Sequence, residues 1–453
     1  MYSKIFIFIC VMTIGFSLSA NAKDTLTGAM VSAYNTSGLL EQNRAVLRAA
    51  DEDVASAASQ LAPIVSWAST VSHNDRNVSD SFDTSASISL LADFTLYDGG
   101  KRSLGLEGAK FSVFATRSSL INIEQNVLFE AVKAYLGVIR ETENVSLRDG
   151  NLSVISEELR AANDRFEVGE ITKTDVALAE ARLAASNSAL AFAKGSFEQA
   201  IAGYITAIGR KPNFLEYPSF IPEVPNSLEN AIAIALAEHP LIDELKNLVK
   251  VTEINSKIAD LSTSFTVSLG SSVSLDEDGD TSGDLSVTAS GPIFSGGKLY
   301  SSSRKQTALN EQVLARLYTS KISIEQNVTN AFSLLQVAKA AKLAAEEQIR
   351  ATEVALKGVK EEAILGARTT LDVLNAEQEL LDARVQLISA KVDEHLSLYR
   401  LLLRIGRLNS DYLNLPVRKY DVKKYYDLVR HSPASKTKSG RELEKVLRSL
   451  TKN

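Results

Sequence analysis

Apolar residues along this chain follow two different periods, and each change of period marks a change of structure. From Leu26 to Leu61 they recur every three or four positions, with a break near Asn35 to Gly38. That spacing predicts helix. From Pro63 to Leu96 the spacing falls to two. Val65, Trp67 and Val71 alternate with Ser66, Ala68 and Thr70, and Ile88, Leu90, Ala92, Phe94 and Leu96 alternate with Ser87, Ser89, Leu91, Asp93 and Thr95. Alternation predicts strand, so 63–96 reads as a strand hairpin joined by the polar run His73 to Thr84. From Gly100 the helical period returns, and Phe111, Phe114, Ser118, Ile121, Gln125, Leu128, Val132, Tyr135 and Ile139 form a coiled-coil seam. A glycine break at Val168-Gly169-Glu170 separates this long segment from a returning helix over Thr172 to Ile208.

The series is then written a second time. Gly169, Thr172 and Asp175 are answered by Gly366, Thr369 and Asp372, an offset of 197 residues that also matches Gly99-Gly100-Lys101 with Gly296-Gly297-Lys298 and Ile208-Gly209-Arg210 with Ile405-Gly406-Arg407. Repetition at a fixed offset marks one structural unit used twice. In the second copy, Ser227-Leu228 to about Ile258 is helical and interrupted at His239-Pro240, where a proline breaks or opens a helix. Phe265, Val267, Leu269, Val273 and Leu275, then Leu285, Val287, Ala289 and Ile293, carry the strand period, on either side of the acidic loop Asp276 to Asp280. That loop has Thr281 and Val287 where a calcium-binding loop requires glycine and glutamate, so it reads as a solvated hairpin tip. The fold class is mostly α with a small antiparallel β part, internally duplicated. Residues 23–218 form the first repeat, with strand hairpin 63–96 and helical hairpin 100–208. Residues 219–416 form the second, with strand hairpin 264–293 and helical hairpin 297–405.

Lengths constrain the shape. A helix over 100–168 would be on the order of 100 Å long at ~1.5 Å per residue, and its returning partner only about 55 Å. No globular core buries such a rod, so the helices before the strands must stack beside its other end. The glycine-broken tips at Val168, Gly169 and Glu170 and at Leu365, Gly366 and Ala367 then lie far from the strands. Gly209 and Gly406 sit where left-handed residues end the returning helices. Each strand arm has the ~9 to 11 residues that cross a bilayer when tilted, with an apolar row on one face and small hydroxylic residues on the other. Two hairpins leave two open edges, which hydrocarbon does not tolerate. Closure therefore needs further copies of the chain, and three copies would leave a water-filled bore.

Composition narrows the rest. Met1 to Ala22 reads as a secretory leader, with Lys4, an apolar run from Ile5 to Ile14 and Ala20-Asn21-Ala22 as cleavage site. The one cysteine, Cys10, lies inside it, so no thiol is expected after cleavage. The formal net charge of -6 gives no reason to expect nucleic acid. No phosphate loop, nucleophile turn or metal-spaced pair among His73, His239, His395 and His431 is present, so neither catalysis nor a cofactor is expected. Residues 417–453 form a basic tail, read as a solvated extension.

With its duplication, paired glycines at Gly99, Gly100, Gly296 and Gly297, and tip signatures Arg165-Phe-Glu-Val-Gly169 to Asp175-Val176 and Gly366-Ala-Arg368 to Asp372-Val373, the chain resembles the TolC-type outer-membrane efflux and secretion-channel family. Ala33-Tyr-Asn and Arg48-Ala-Ala-Asp-Glu52 are similar to members that serve type I secretion. The resemblance covers about Thr25 to Pro416. It implies a homotrimer in the outer membrane, with a twelve-stranded barrel and a helical tunnel across the periplasm. It also implies docking of a periplasmic adaptor and an inner-membrane ABC or proton-driven transporter at the tips. It assigns Asp372 to an acidic ring at the constricted entrance and Arg368 to closing the tip, with Asp175 as candidate partner. Asn375 stands where the family places a second aspartate. The rival class is a periplasmic coiled-coil adaptor without a pore, which would have no use for an alternation that turns Trp67, Ile88 and Phe94 toward lipid.

Overall fold

A computed structural model of the chain describes residues 24–75, 82–430 and 437–450. The leader, Cys10, and the centre of the polar run between the first two strands lie outside the described residues. The elements run α1 (Leu26–Thr36), α2 (Gly38–Ser59), β1 (Ile64–Asp75), β2 (Phe82–Tyr97), α3 (Lys101–Glu167), α4 (Lys173–Ile208), α5 (Leu228–Glu238) and α6 (Pro240–Asp260). They continue with β3 (Thr266–Asp276), β4 (Thr281–Ser290), α7 (Lys298–Ile364), α8 (Thr370–Ile405), α9 (Val422–Val429) and α10 (Lys438–Leu450). The series α1, α2, β1, β2, α3, α4 thus has the same order as α5, α6, β3, β4, α7, α8.

Helices α3 and α7 are each 67 residues long, roughly 100 Å. Their returning partners α4 and α8 have 36 residues. Each therefore covers only the far half of its long helix. The near half of α3 is flanked by α2 and α6, and α6 also packs on α7. The main core lies where the short helices meet end to end. It contains Leu128, Val132, Tyr135 and Leu136 of α3, Ile208 of α4, Val328 and Leu335 of α7, and Leu401, Leu402 and Ile405 of α8.

Both meeting points use the same device. At the first, Ser37 ends α1 and caps α2 by accepting from the Leu40 amide. Gly209 closes α4 at φ 83°, and a Cβ there would lie 2.5 Å from Thr36 Oγ1. At the second, His239 caps α6, its Nδ1 accepting from the Leu241 amide at 3.2 Å. Gly406 closes α8 at φ 84°, and a Cβ there would lie 2.9 Å from the His239 Cα. Only glycine fits such positions, since both the left-handed backbone and the close approach exclude a side chain. His239 is thus a buried cap.

The four strands form one antiparallel sheet in the order β1-β2-β3-β4, with β1 and β4 as its edges. Directly opposed residues share a face, so the register settles which rows coincide. Trp67 faces Leu90, Leu90 faces Val273, Phe94 faces Leu269 and Leu269 faces Val287. This apolar row is left uncovered by the rest of the chain, with Trp67 75% exposed. The other face is hydroxylic: Ser66, Thr70, Ser87, Ser89, Ser272, Ser274, Ser286 and Thr288 fall in the alternate row. No helix among the described residues is long and apolar enough to cross a membrane.

Four details differ from the sequence expectations. The register shifts between Thr95 and Tyr97, and the extra residue of this bulge puts Tyr97 opposite Val267 in the apolar row, the place assigned to Leu96. Strand β4 ends at Ser290 rather than Ile293, because Pro292 has no amide to donate. In the near half of α3, Val113 and Leu120 are buried, whereas Phe114 and Ile121 of the expected seam are exposed; its members Gln125 and Leu128 are buried as expected. Finally, the start of the basic tail is docked. Tyr425 and Val429 of α9 pack on Ala55 of α2, the Tyr425 hydroxyl donates to Glu52 at 2.5 Å, and Arg117 of α3 donates to the Val422 carbonyl while stacking on Tyr426. Apolar and aromatic residues at helical spacing outweigh the surrounding lysines here.

Candidate functional site

The candidate site is the pair of helical-hairpin tips. At the first, α3 ends at Glu167, and Gly169, at φ 78°, lets the Glu170 amide reach back to the Arg165 carbonyl at 2.9 Å. At the second, Gly366, at φ 76°, lets the Ala367 amide reach the Glu362 carbonyl at 2.9 Å. These are glycine-terminated helix ends. A Cβ at either glycine would touch nothing within 4 Å, so the requirement is for the backbone angle alone. The flanking side chains are displayed: Val168 is 71% and Leu365 84% exposed.

Each returning helix then opens with a reciprocal cap. The Thr172 amide donates to the Asp175 carboxylate at 3.0 Å and the Asp175 amide to the Thr172 hydroxyl at 3.4 Å. The same bonds at the second tip join Thr369 and Asp372 at 2.9 and 3.2 Å. These donors stabilise the ionised carboxylates. The Thr172 hydroxyl and amide hold Asp175 below the ordinary carboxylate range, and the Thr369 amide and hydroxyl do the same for Asp372. Both aspartates therefore carry negative charge at neutral pH while also starting a helix. The Thr-x-x-Asp spacing, repeated at the 197-residue offset, signals this capping role in the sequence.

Arg368 and Asp175 line one cleft of about 590 Å³ between the tips, together with Arg165, Glu170, Leu365 and Gly366. They do not pair within the chain, contrary to expectation. Arg368 Nε donates to Glu362 at 2.8 Å, and that carboxylate raises the guanidinium pKa. Glu362 lies on the last turn of α7, within reach across the Gly366 turn, while the Asp175 carboxylate is occupied by Thr172. Asn375 accepts a hydrogen bond from Arg182 of α4 at 2.9 Å, a partner that nothing in the local pattern announces. Leu374 beside it is buried against Ile155, Ala162 and Ala179 of the other hairpin. Lys360 of α7 pairs with Glu377 and lies 3.9 Å from Glu158 of α3.

At the other end, all four glycines of the strand-to-helix passages have positive φ: 71° at Gly99, 87° at Gly100, 59° at Gly296 and 83° at Gly297. Among the described residues, only the first passage is stapled by side chains. Asp98 accepts from the Gly100 amide at 2.9 Å and from Arg102 Nε at 2.9 Å, and Arg102 also donates to the Gln60 and Thr95 carbonyls. In the second copy, Ser295 stands at the position of Asp98.

Known proteins share the sequence pattern and the fold of this chain. The sequence profile of the outer membrane efflux protein family matches residues 31–210 and 257–407. Over 419 residues, 91% of this chain and 91% of the relative, the sequence is 34% identical to the outer membrane efflux protein BepC of Brucella suis. It is 25% identical over 306 residues to the alkaline protease secretion protein AprF of Pseudomonas aeruginosa, covering 64% of this chain and 63% of that one. The solved structure of the outer membrane protein VceC of Vibrio cholerae superposes with a TM-score of 0.75 over 84% of this chain and 96% of that chain. At 18% identity, that likeness is one of fold.

Proposed function

Because the chain belongs to the outer membrane efflux protein family, whose members are outer-membrane channels rather than enzymes, we propose that it forms an exit duct from three copies. Each copy would contribute four strands to a closed barrel and four helices to a tunnel below it. The observation that carries this reading is the sheet. Its apolar face is exposed from Trp67 to Val287, its opposite face is hydroxylic, and its edges β1 and β4 are open. An apolar outer band with a polar interior is what a membrane barrel requires, and open edges in lipid require neighbouring copies. A periplasmic adaptor would have no use for this face.

The helices carry the duct away from the membrane for roughly 100 Å, into the periplasm. The paired glycines at Gly99, Gly100, Gly296 and Gly297 turn the chain from strand to helix. The tips are its entrance, with Asp372 contributing one carboxylate per copy and Arg368 lying beside it. Their exposed rims, Val168 to Glu170 and Leu365 to Ala367, are the docking surface for an adaptor and an inner-membrane transporter. Substrate passes without covalent change. The relatives' names cover efflux for BepC and alkaline protease secretion for AprF, so the cargo is small molecules, a secreted protein, or both. Native mass spectrometry in detergent tests the assembly. Three chains per particle is the expected result, and a monomer that persists at every detergent concentration overturns it.

A further inference from the structure

Near the tips, the two helical hairpins of one chain are joined by few side chains. Leu374 is seated among Ile155, Ala162 and Ala179, Lys360 reaches toward Glu158, and Arg182 Nη2 donates to Asn375 Oδ1 at 2.9 Å. The last contact bridges α4 and α8, the two returning helices. We propose that Arg182, by holding Asn375, keeps the two tips of a chain together and sets the charge of the entrance. It would thus be a positioning and selectivity residue of the duct. The proposal rests on the duct reading given above.

Position supports the first half. Asn375 lies one turn along α8 from the capping aspartate Asp372, and Arg182 about two turns along α4 from Asp175. Any splaying of the two tips must separate these helix starts, and a hydrogen bond spanning them breaks early in that motion. Chemistry supports the second half. An amide oxygen accepts from a guanidinium without cancelling its charge, and among the described residues Arg182 forms no ion pair. Its positive charge therefore remains beside Asn375, one turn along α8 from the carboxylate of Asp372. The repeat offers no substitute. At the 197-residue offset, Glu379 answers Arg182 and Leu178 answers Asn375, a pair that cannot form this bond. The link thus ties the hairpins within a chain and leaves the junction between neighbouring chains without it.

Planar-bilayer recordings of the wild type, Arg182→Ala, Asn375→Ala, the double variant and Asn375→Asp test this. Each alanine variant should raise the open-to-closed ratio about two- to tenfold per chain, the worth of one hydrogen bond, and the double variant should add nothing further. In a salt gradient the reversal potential should move toward cation preference for Arg182→Ala and Asn375→Asp, and stay in place for Asn375→Ala. A merely structural role would not produce that split. If an alanine variant fails to assemble, the near-isosteric Asn375→Asp still reads the charge effect. A conducting wild type with indistinguishable variants overturns the proposal and leaves the duct intact. A wild type with no conductance at all overturns both.

Discussion

Acidification should loosen the joint between α5 and α6. His239 is buried with only 9% of its surface exposed, and its Nδ1 accepts the Leu241 amide hydrogen at 3.2 Å. That bond requires an unprotonated Nδ1. Burial, reinforced by nearby Arg404 and only partly countered by Asp243, lowers the imidazole pKa from 6.5 to about 4. A depressed histidine contributes stability that is fully present above its unfolded pKa and lost as pH falls through the folded one. The window is therefore 6.5 down to about 4. At ~1.36 kcal/mol per unit, about 2 kcal/mol of this contribution is gone by pH 5, roughly a thirtyfold change in a local equilibrium. Hydrogen exchange at the Leu241 amide, corrected for intrinsic rates, should lose about thirtyfold in protection between pH 7.5 and pH 5. His239→Asn keeps a capping side chain without titrating, so its protection should stay level across the same range. An equal fall in both proteins would refute the assignment of the effect to His239.

Other substitutions probe the remaining features. Gly366→Ala should cost about 1 to 2 kcal/mol of stability from the left-handed backbone alone. Gly406→Ala should cost visibly more, because its new Cβ would also meet the His239 Cα at 2.9 Å; equal melting shifts would contradict this. Val429→Ala removes two methyl groups from a fully buried site, a loss of about 2 kcal/mol. Tryptic cleavage after Lys423 should then accelerate roughly thirtyfold, and an unchanged rate would mean that α9 is not held by this contact. Arg368→Glu replaces the pair with Glu362 by two like charges beside Asp372. It should raise conductance while leaving the exposed tip as stable as before, and an unchanged conductance removes Arg368 from the gate.

Much of the architecture was legible because it is periodic. The switch between spacings of two and of three to four locates the strands and the long helices, and the 197-residue offset shows that each is made twice. What escaped is what has no period. The bulge that exchanges Leu96 for Tyr97 is a single irregular step. Arg182 and Asn375 are 193 residues apart in sequence and meet only because two hairpins lie side by side. Asp175 is the candidate partner of Arg368 in the sequence, whereas within the chain Glu362, six residues away across the glycine turn, holds it. The docked tail is hidden by its excess of lysine and arginine, although Tyr425 and Tyr426 carry a signal of burial that charge counting passes over.

The central claim is that the exposed apolar sheet closes, with other copies of the chain, around a water-filled bore. Reconstitution of the purified protein into planar bilayers tests it most directly. The account predicts discrete conductance steps in pure lipid that rise when the tip contacts of Arg368 and Arg182 are removed. Bilayers that stay sealed at every protein concentration, with the protein demonstrably inserted, would contradict it.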